Sequence, residues 1–159
     1  MNLFREILMG LACVALYVLI FCFPWGSMGG KQAAKRSACL SNVKQQSLGL
    51  IVYSTDYDRF PPGRAWMDST ARYRRGESAQ KDWTVHCPEV PKNRFGYAFN
   101  AALSGAKLPK RPELVPLTYE SSNLRRNAVD PVTSLPRPGR HDGKSNLAYA
   151  DGHARSVKP

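Results

Sequence analysis

Charge is missing from the whole stretch between Glu6 and Lys31. A soluble globular surface rarely avoids charge for so long. Inside that stretch ILMGLACVALYVLIFCF, residues 7–23, also lacks any strongly polar side chain. Crossing a hydrocarbon core of ~30 Å takes about 20 apolar residues. Extended through Pro24-Trp25 the run suffices, with Tyr17 and Trp25 as interfacial aromatics. A cleaved secretory signal fits less well, since Arg5 is offset by Glu6 and no small-x-small site follows. Phe21 is too bulky for the position before a lipoprotein cysteine. The expectation is a single-pass anchor over residues 1–28.

Histidine is also scarce, with only His86, His141 and His153. No Gly-x-Ser-x-Gly, no His-Glu-x-x-His and no phosphate-cradling glycine loop occurs. Catalysis needs a nucleophile with a base, or paired acids. None is legible, so no catalytic residue and no enzymatic activity are expected.

Acidic residues are outnumbered, 12 against 23 basic ones, for a net charge of +11 and a pI near 9.8. All but Arg5 and Glu6 of these charges lie beyond residue 28. Such a surface attracts polyanions. Arg72, Arg74, Arg75, Lys107, Lys110, Arg111, Arg125, Arg126 and Arg155 could form a basic face, with Tyr73 and Tyr119 for stacking on bases. The basic residues are scattered rather than striped, and no nucleic-acid motif accompanies them. Polyanion or DNA binding is therefore the alternative reading, and solubility is the simpler one.

Four cysteines divide two and two. Cys13 and Cys22 lie in the apolar run, where thiols behave as small hydrophobes. Cys39 and Cys87 lie in the polar part, at a spacing that fits no Cys-x-x-Cys zinc pattern. In an exported domain they are expected to pair as a structural disulfide, contributing roughly 3–4 kcal/mol.

After the breaker-rich PWGSMGG, residues 24–30, an amphipathic helix is expected over residues 29–60. Ala33, Leu40, Val43, Ser47, Leu50, Ile51 and Ser54 recur at spacings of three and four. Phe60-Pro61-Pro62-Gly63 ends it. Residues 61–159 then read as a loop-rich sheet domain. WTVHCP (83–88) is a short extended piece, while FGYAFN (95–100) and LVPLTYES (114–121) are strands. Residues 122–145 read as loop. SNLAYA-DG-HARSV closes the chain as a hairpin, with Asp151-Gly152 suited to a type I′ turn. A helix followed by antiparallel strands is an α+β arrangement.

The ending RHDGKSNLAYADGH, residues 140–153, concentrates two histidines and two Asp-Gly steps. Asp142 and Asp151, with Asn146 and nearby carbonyls, offer oxygens to a calcium ion, although their order does not fit an EF-hand loop. His141 with His153 is too few ligands for a transition metal. Nine extended residues span up to ~30 Å, so His141 and Asp151 need not meet. Local roles follow instead: Asp151-Gly152 makes the turn and His141 anchors its entrance.

The string KRSACLSNVKQQSLGLIVYSTDYDRFPP (35–62), the Cys87-Pro88 step, the later Tyr97 and the His141-x9-Asp151-Gly152 ending together resemble a known group. They resemble type IV pilin-like proteins, nearest the pseudopilin group of type II secretion labelled G-like. The resemblance covers nearly the whole chain. It implies a long N-terminal helix, its first half membrane-embedded, laid on a small antiparallel sheet. It also implies a structural subunit that assembles through that helix, with its soluble domain outside the cytoplasm and no cofactor beyond the calcium some relatives bind. Glu6 occupies approximately the place of the family glutamate that pairs with a neighbouring subunit's amino group, and a carboxylate near a membrane has physical reason to find a partner.

MNLFR before Glu6 departs from the family's basic, glycine-ending leader. This leaves absence of processing, a truncated start and loss of fibre assembly as alternatives. The basic residues flanking the apolar run point the soluble part inward. The cysteine pair and the resemblance point outward, and export is the reading taken.

Overall fold

A computed structural model of the chain describes residues 2–22, 27–74 and 83–159. Helix α1 spans Asn2–Cys22 and helix α2 spans Ser27–Tyr57. By its internal packing the chain divides into residues 1–32 and 33–159. In the first unit every described side chain of α1, residues 5–19, is exposed, among them Ile7, Leu8, Leu11, Val14 and Leu19. Among the described residues no helix is long and apolar enough to cross a membrane. The expected membrane-embedded half of a long helix is therefore not supported by the structure. Residues 23–26, with Pro24 and Trp25, and residues 75–82, with Arg75, lie outside the described residues. Ser27 to Gly30, expected to break the helix, is helical.

The second unit is α+β. Its sheet has five strands: β1 (Tyr97–Asn100), β2 (Pro116–Glu120), β3 (Ala128–Asp130), β4 (Ser145–Tyr149) and β5 (Ala154–Val157). They are ordered β3-β1-β2-β4-β5. The neighbours are antiparallel except β1 and β3, which run parallel, so the sheet is mixed rather than purely antiparallel. β3 falls in the 122–145 stretch expected to be loop. It is three residues long, too short for an alternation to declare itself. WTVHCP is not extended at its start; Trp83–Val85 is a 3-10 turn.

α2 lies on one face of this sheet. Its buried stripe is Cys39, Val43, Gln46, Ser47, Gly49, Leu50 and Ser54, while Ala33 is exposed and Leu40 half-buried. Polar members stay buried because they meet fixed backbone partners. Ser47 donates to the Tyr149 carbonyl (2.9 Å), and Gln46 donates to the Thr84 carbonyl. From the sheet, Thr118 donates to the Val43 carbonyl (3.0 Å). α2 stops at Asp58, whose φ of 57° is the left-handed conformation that terminates helices. Beneath α2 the apolar core gathers Val43, Leu50, Phe60, Trp66, Phe99 and Leu117. The opposite face of the sheet carries a second cluster of Ala98, Tyr119, Ala128, Leu147 and Tyr149.

The two Asp-Gly steps take different turns. Asp142 and Gly143 both have positive φ, 54° and 76°, and His141 and Lys144 exchange both backbone hydrogen bonds around them (3.0 Å each). That is the type I′ geometry. At Asp151-Gly152 only the glycine is left-handed (φ 91°). Gly152 N–H donates to the Tyr149 carbonyl, and Tyr149 N–H donates to that of His153. This is a three-residue loop ending in a glycine bulge, not the type I′ turn expected.

Candidate metal centre

Register brings a polar row across the helix-facing side of the sheet. Tyr97 pairs with Glu120, and Asn146 pairs with Ser156. Asn146 Nδ2 donates to Glu120 Oε1 (3.0 Å), joining the two pairs, and Ser156 donates to Asn146 Oδ1. Above this row stands Cys39 of α2.

Cys39 Sγ is 2.7 Å from Glu120 Oε1 and 3.0 Å from the Tyr97 hydroxyl. Cys87 Sγ is 3.5 Å from Cys39 Sγ. His141 Nε2 lies 2.8 Å from Glu120 Oε1. One donor atom from each of Cys39, Cys87, Glu120 and His141 falls within 4.8 Å of all the others, and all four residues are buried.

Each member is held by its own segment. Cys39 sits on the inward stripe of α2. Cys87 is pinned by its N–H donating to the Phe95 carbonyl (2.9 Å), and the loop around it by Asn42 Nδ2 donating to the His86 carbonyl (3.1 Å). Glu120 ends β2. His141 opens the Asp142-Gly143 turn, and its neighbour Arg140 donates to the Gly96 carbonyl (2.9 Å) and to that of Ser121. A Cβ on Gly139 would stand 2.2 Å from the Lys144 carbonyl carbon, so only glycine lets the two sides of this loop close.

The electrostatics follow from the crowding. Burial, then the hydrogen bond to Cys87 and the Glu120 charge, push the Cys39 thiol far above its ordinary value. Cys87 goes the other way, down to about 5, chiefly because Cys39 donates to it and His141 adds a second bond. Burial alone lowers His141, but bonds to Cys87 and Glu120 overcome it and raise the imidazole to about 9. Burial also raises Tyr97. The two sulfurs are thus shifted in opposite directions, Cys39 up and Cys87 down. Among the described residues, two buried atoms of the cluster, Glu120 Oε2 and His141 Nδ1, have no hydrogen-bond partner.

The residues singled out in the sequence are distributed as follows. Cys39 and Cys87 meet, yet both are free thiols with sulfurs 3.5 Å apart, against about 2.05 Å for a bond. The expected disulfide is a non-bonded contact here. His141 does more than anchor a turn, because it faces Glu120. Asp151 stands beyond the far end of β4 and accepts from the N–H and ring of its neighbour His153 (3.1 and 2.6 Å). Five strand residues span about 17 Å, so Asp142 and Asp151 do not converge on one calcium ion. His153 stacks on Tyr149, and His86 stacks on Phe95. Glu6 is exposed on α1.

Tyr119 is buried with its hydroxyl on the Asp130 carbonyl, and Arg74 is buried against Met67 and Thr70. Lys107, Arg111 and Arg126 pair with Asp58, Glu113 and Asp68.

Glu120 is absent from the residues the sequence offers for chemistry, while Tyr97 enters only through the resemblance and Asn146 only as an oxygen donor to calcium. The available signal was Glu120 itself, the one acid in the strand segment LVPLTYES. An ionisable group in a strand otherwise fit for burial asks for a partner. No family model, curated protein or solved structure matches the chain.

Proposed function

We propose that this chain is a membrane-anchored, pilin-like structural subunit with an extracytoplasmic α+β domain. In this role it belongs to an assembly of the type II secretion or type IV pilus kind. One observation carries the reading: the described part of α1 exposes apolar side chains on every side, while the following helix lays its C-terminal half on a small sheet. A helix apolar all round has to be covered by something apolar. In the proposed subunit the bilayer and the first helices of neighbouring copies cover it. Glu6, exposed on the same helix, then pairs with a neighbour's cationic group.

The reading gives α1 a test through Cys13, which is exposed on it. The full chain, expressed in a bacterial envelope, is expected to stay in the membrane pellet after alkaline washing. A short bis-maleimide should then link Cys13 to Cys13 of another copy, and Glu6→Ala should reduce that product several-fold. Recovery of the full chain in the soluble fraction, with no crosslinked product, would overturn the proposal.

A further inference from the structure

The geometry points to a structural metal site for a zinc-type divalent ion, held by Cys39, Cys87, Glu120 and His141. Two soft sulfurs, an imidazole nitrogen and a carboxylate oxygen form a donor set that zinc selects. They come from four separate segments, yet their ligand atoms lie within 4.8 Å of one another in a buried pocket.

Spacing supports this choice. Around tetrahedral zinc, bond lengths of about 2.0–2.3 Å place neighbouring ligand atoms about 3.3–3.8 Å apart. The two sulfurs already stand at 3.5 Å. Glu120 Oε1 is somewhat closer to Cys39 Sγ and His141 Nε2, at 2.7 and 2.8 Å. An ion at the centre requires those two contacts to lengthen to the ligand distance.

Surrounding donors have the pattern that orients metal ligands. Tyr97 hydroxyl lies 3.0 Å from Cys39 Sγ, and Asn146 Nδ2 donates to Glu120 Oε1. Asn42 Nδ2 in turn lies 3.4 Å from the Tyr97 oxygen. An entry path exists as well: a cavity of about 570 Å³ lined by Ala38, Asn42, His86, Pro88 and Val90 also reaches Cys87. Four protein ligands fill a tetrahedral shell, which marks the site as structural rather than catalytic. The ion would staple α2, the 84–95 loop, β2 and the entrance of the terminal hairpin at one point.

Binding displaces the protons that the sulfurs and the ligating imidazole nitrogen carry in the metal-free cluster and leaves both sulfurs as thiolates, with no change of oxidation state. A disulfide between the same sulfurs is the competing state, because oxidised sulfurs do not ligate zinc in this way. The two states give opposite results. The full chain, purified without chelator, should carry one zinc per chain by elemental mass spectrometry. Both Cys39 and Cys87 should resist alkylation until the protein is denatured with EDTA. Cobalt(II) added to the metal-stripped, reduced chain should give thiolate charge-transfer bands and the visible bands of tetrahedral cobalt.

Cys87→Ser should weaken zinc binding by about a hundred-fold or more. Should that variant misfold, Glu120→Gln keeps volume and shape, and is expected to fold while losing most of the affinity. A Cys39–Cys87 disulfide found by peptide mapping of the native full chain would overturn the proposal. So would a folded, reduced full chain that takes up neither zinc nor cobalt.

Discussion

Where α2 passes Leu50 it covers a cluster of Phe60, Trp66, Met67, Phe99 and Leu117, all buried. Eleven residues earlier, about 16 Å along the helix, Cys39 meets Cys87, Tyr97, Glu120, His141 and Asn146. One helix and one sheet face thus make two kinds of contact. At the Leu50 end, attraction follows the apolar area removed from water and has no preferred direction. At the Cys39 end, each polar atom must find its own partner at a set distance, or the burial costs more than it returns. The first end tolerates repacking, whereas the second demands particular atoms in particular places.

The largest expected effect separates the two ends directly. Phe99 packs edge-on to Phe60 and tilted to Trp66, with ring centroids 6.0 Å apart in each case. Phe99→Ala should cost about 3–5 kcal/mol in urea unfolding. That decrement should be the same with and without EDTA, because no metal acts at this end. For the parent chain, EDTA should itself remove about 2–4 kcal/mol, the stabilisation an ion contributes at 100–1,000 times its Kd. An EDTA effect confined to the Phe99 variant would erase the distinction between the ends.

A middle-sized effect compares the two turns that flank β4. A Cβ added to Gly143, beside the metal cluster, would meet nothing within 4 Å, whereas the same atom on Gly152 would meet Leu48 of α2 at 3.0 Å. Both glycines are left-handed, a conformation costing an L-residue roughly 1–2 kcal/mol. Gly143→Ala should show only that cost in thermal melting. Gly152→Ala should lose more, because its turn presses on the helix. Equal losses would mean that α2 yields freely there.

The smallest effect sets the floor for both ends. Asp68 accepts from Arg126 and from Asn127 (2.6 Å) on the exposed side of the domain. The Arg126 bond, stronger than the opposing effect of burial, holds the Asp68 carboxyl below its ordinary 3.8. A depressed folded value means the carboxylate stabilises above the unfolded value, and the gain disappears as pH falls through the folded one. Asp68→Asn should therefore cost less than about 1 kcal/mol at pH 7. The difference from the parent chain should vanish in denaturant titrations well below pH 3.8.

Legibility in the sequence followed the same division. The Leu50 end announced itself through apolar spacing, and β1, β2, β4 and β5 through alternation and turn residues. β3 did not, because three residues carry no period, and its parallel pairing with β1 is a long-range contact. At the Cys39 end only the types were legible. Cys39, Cys87 and His141 were each marked as notable, but for a disulfide and a turn. A glutamine on a helix, such as Gln46, gives no hint that a loop carbonyl waits for it. Glu120 shows in the sequence only as part of a strand.

Local chemistry therefore determined where most of α2 is helical, where most strands run and where the long apolar stretch lies. Those depend on neighbours within a few residues, which the sequence displays. The meeting of Cys39, Cys87, Glu120 and His141 was decided by tertiary structure alone. Their separations of 48, 81 and 21 residues, for Cys39–Cys87, Cys39–Glu120 and Glu120–His141, are closed only when register sets Glu120 beside Asn146 and α2 lies across them. A pattern along the chain has no access to that register. It is the sheet pairing that turns four scattered side chains into one site.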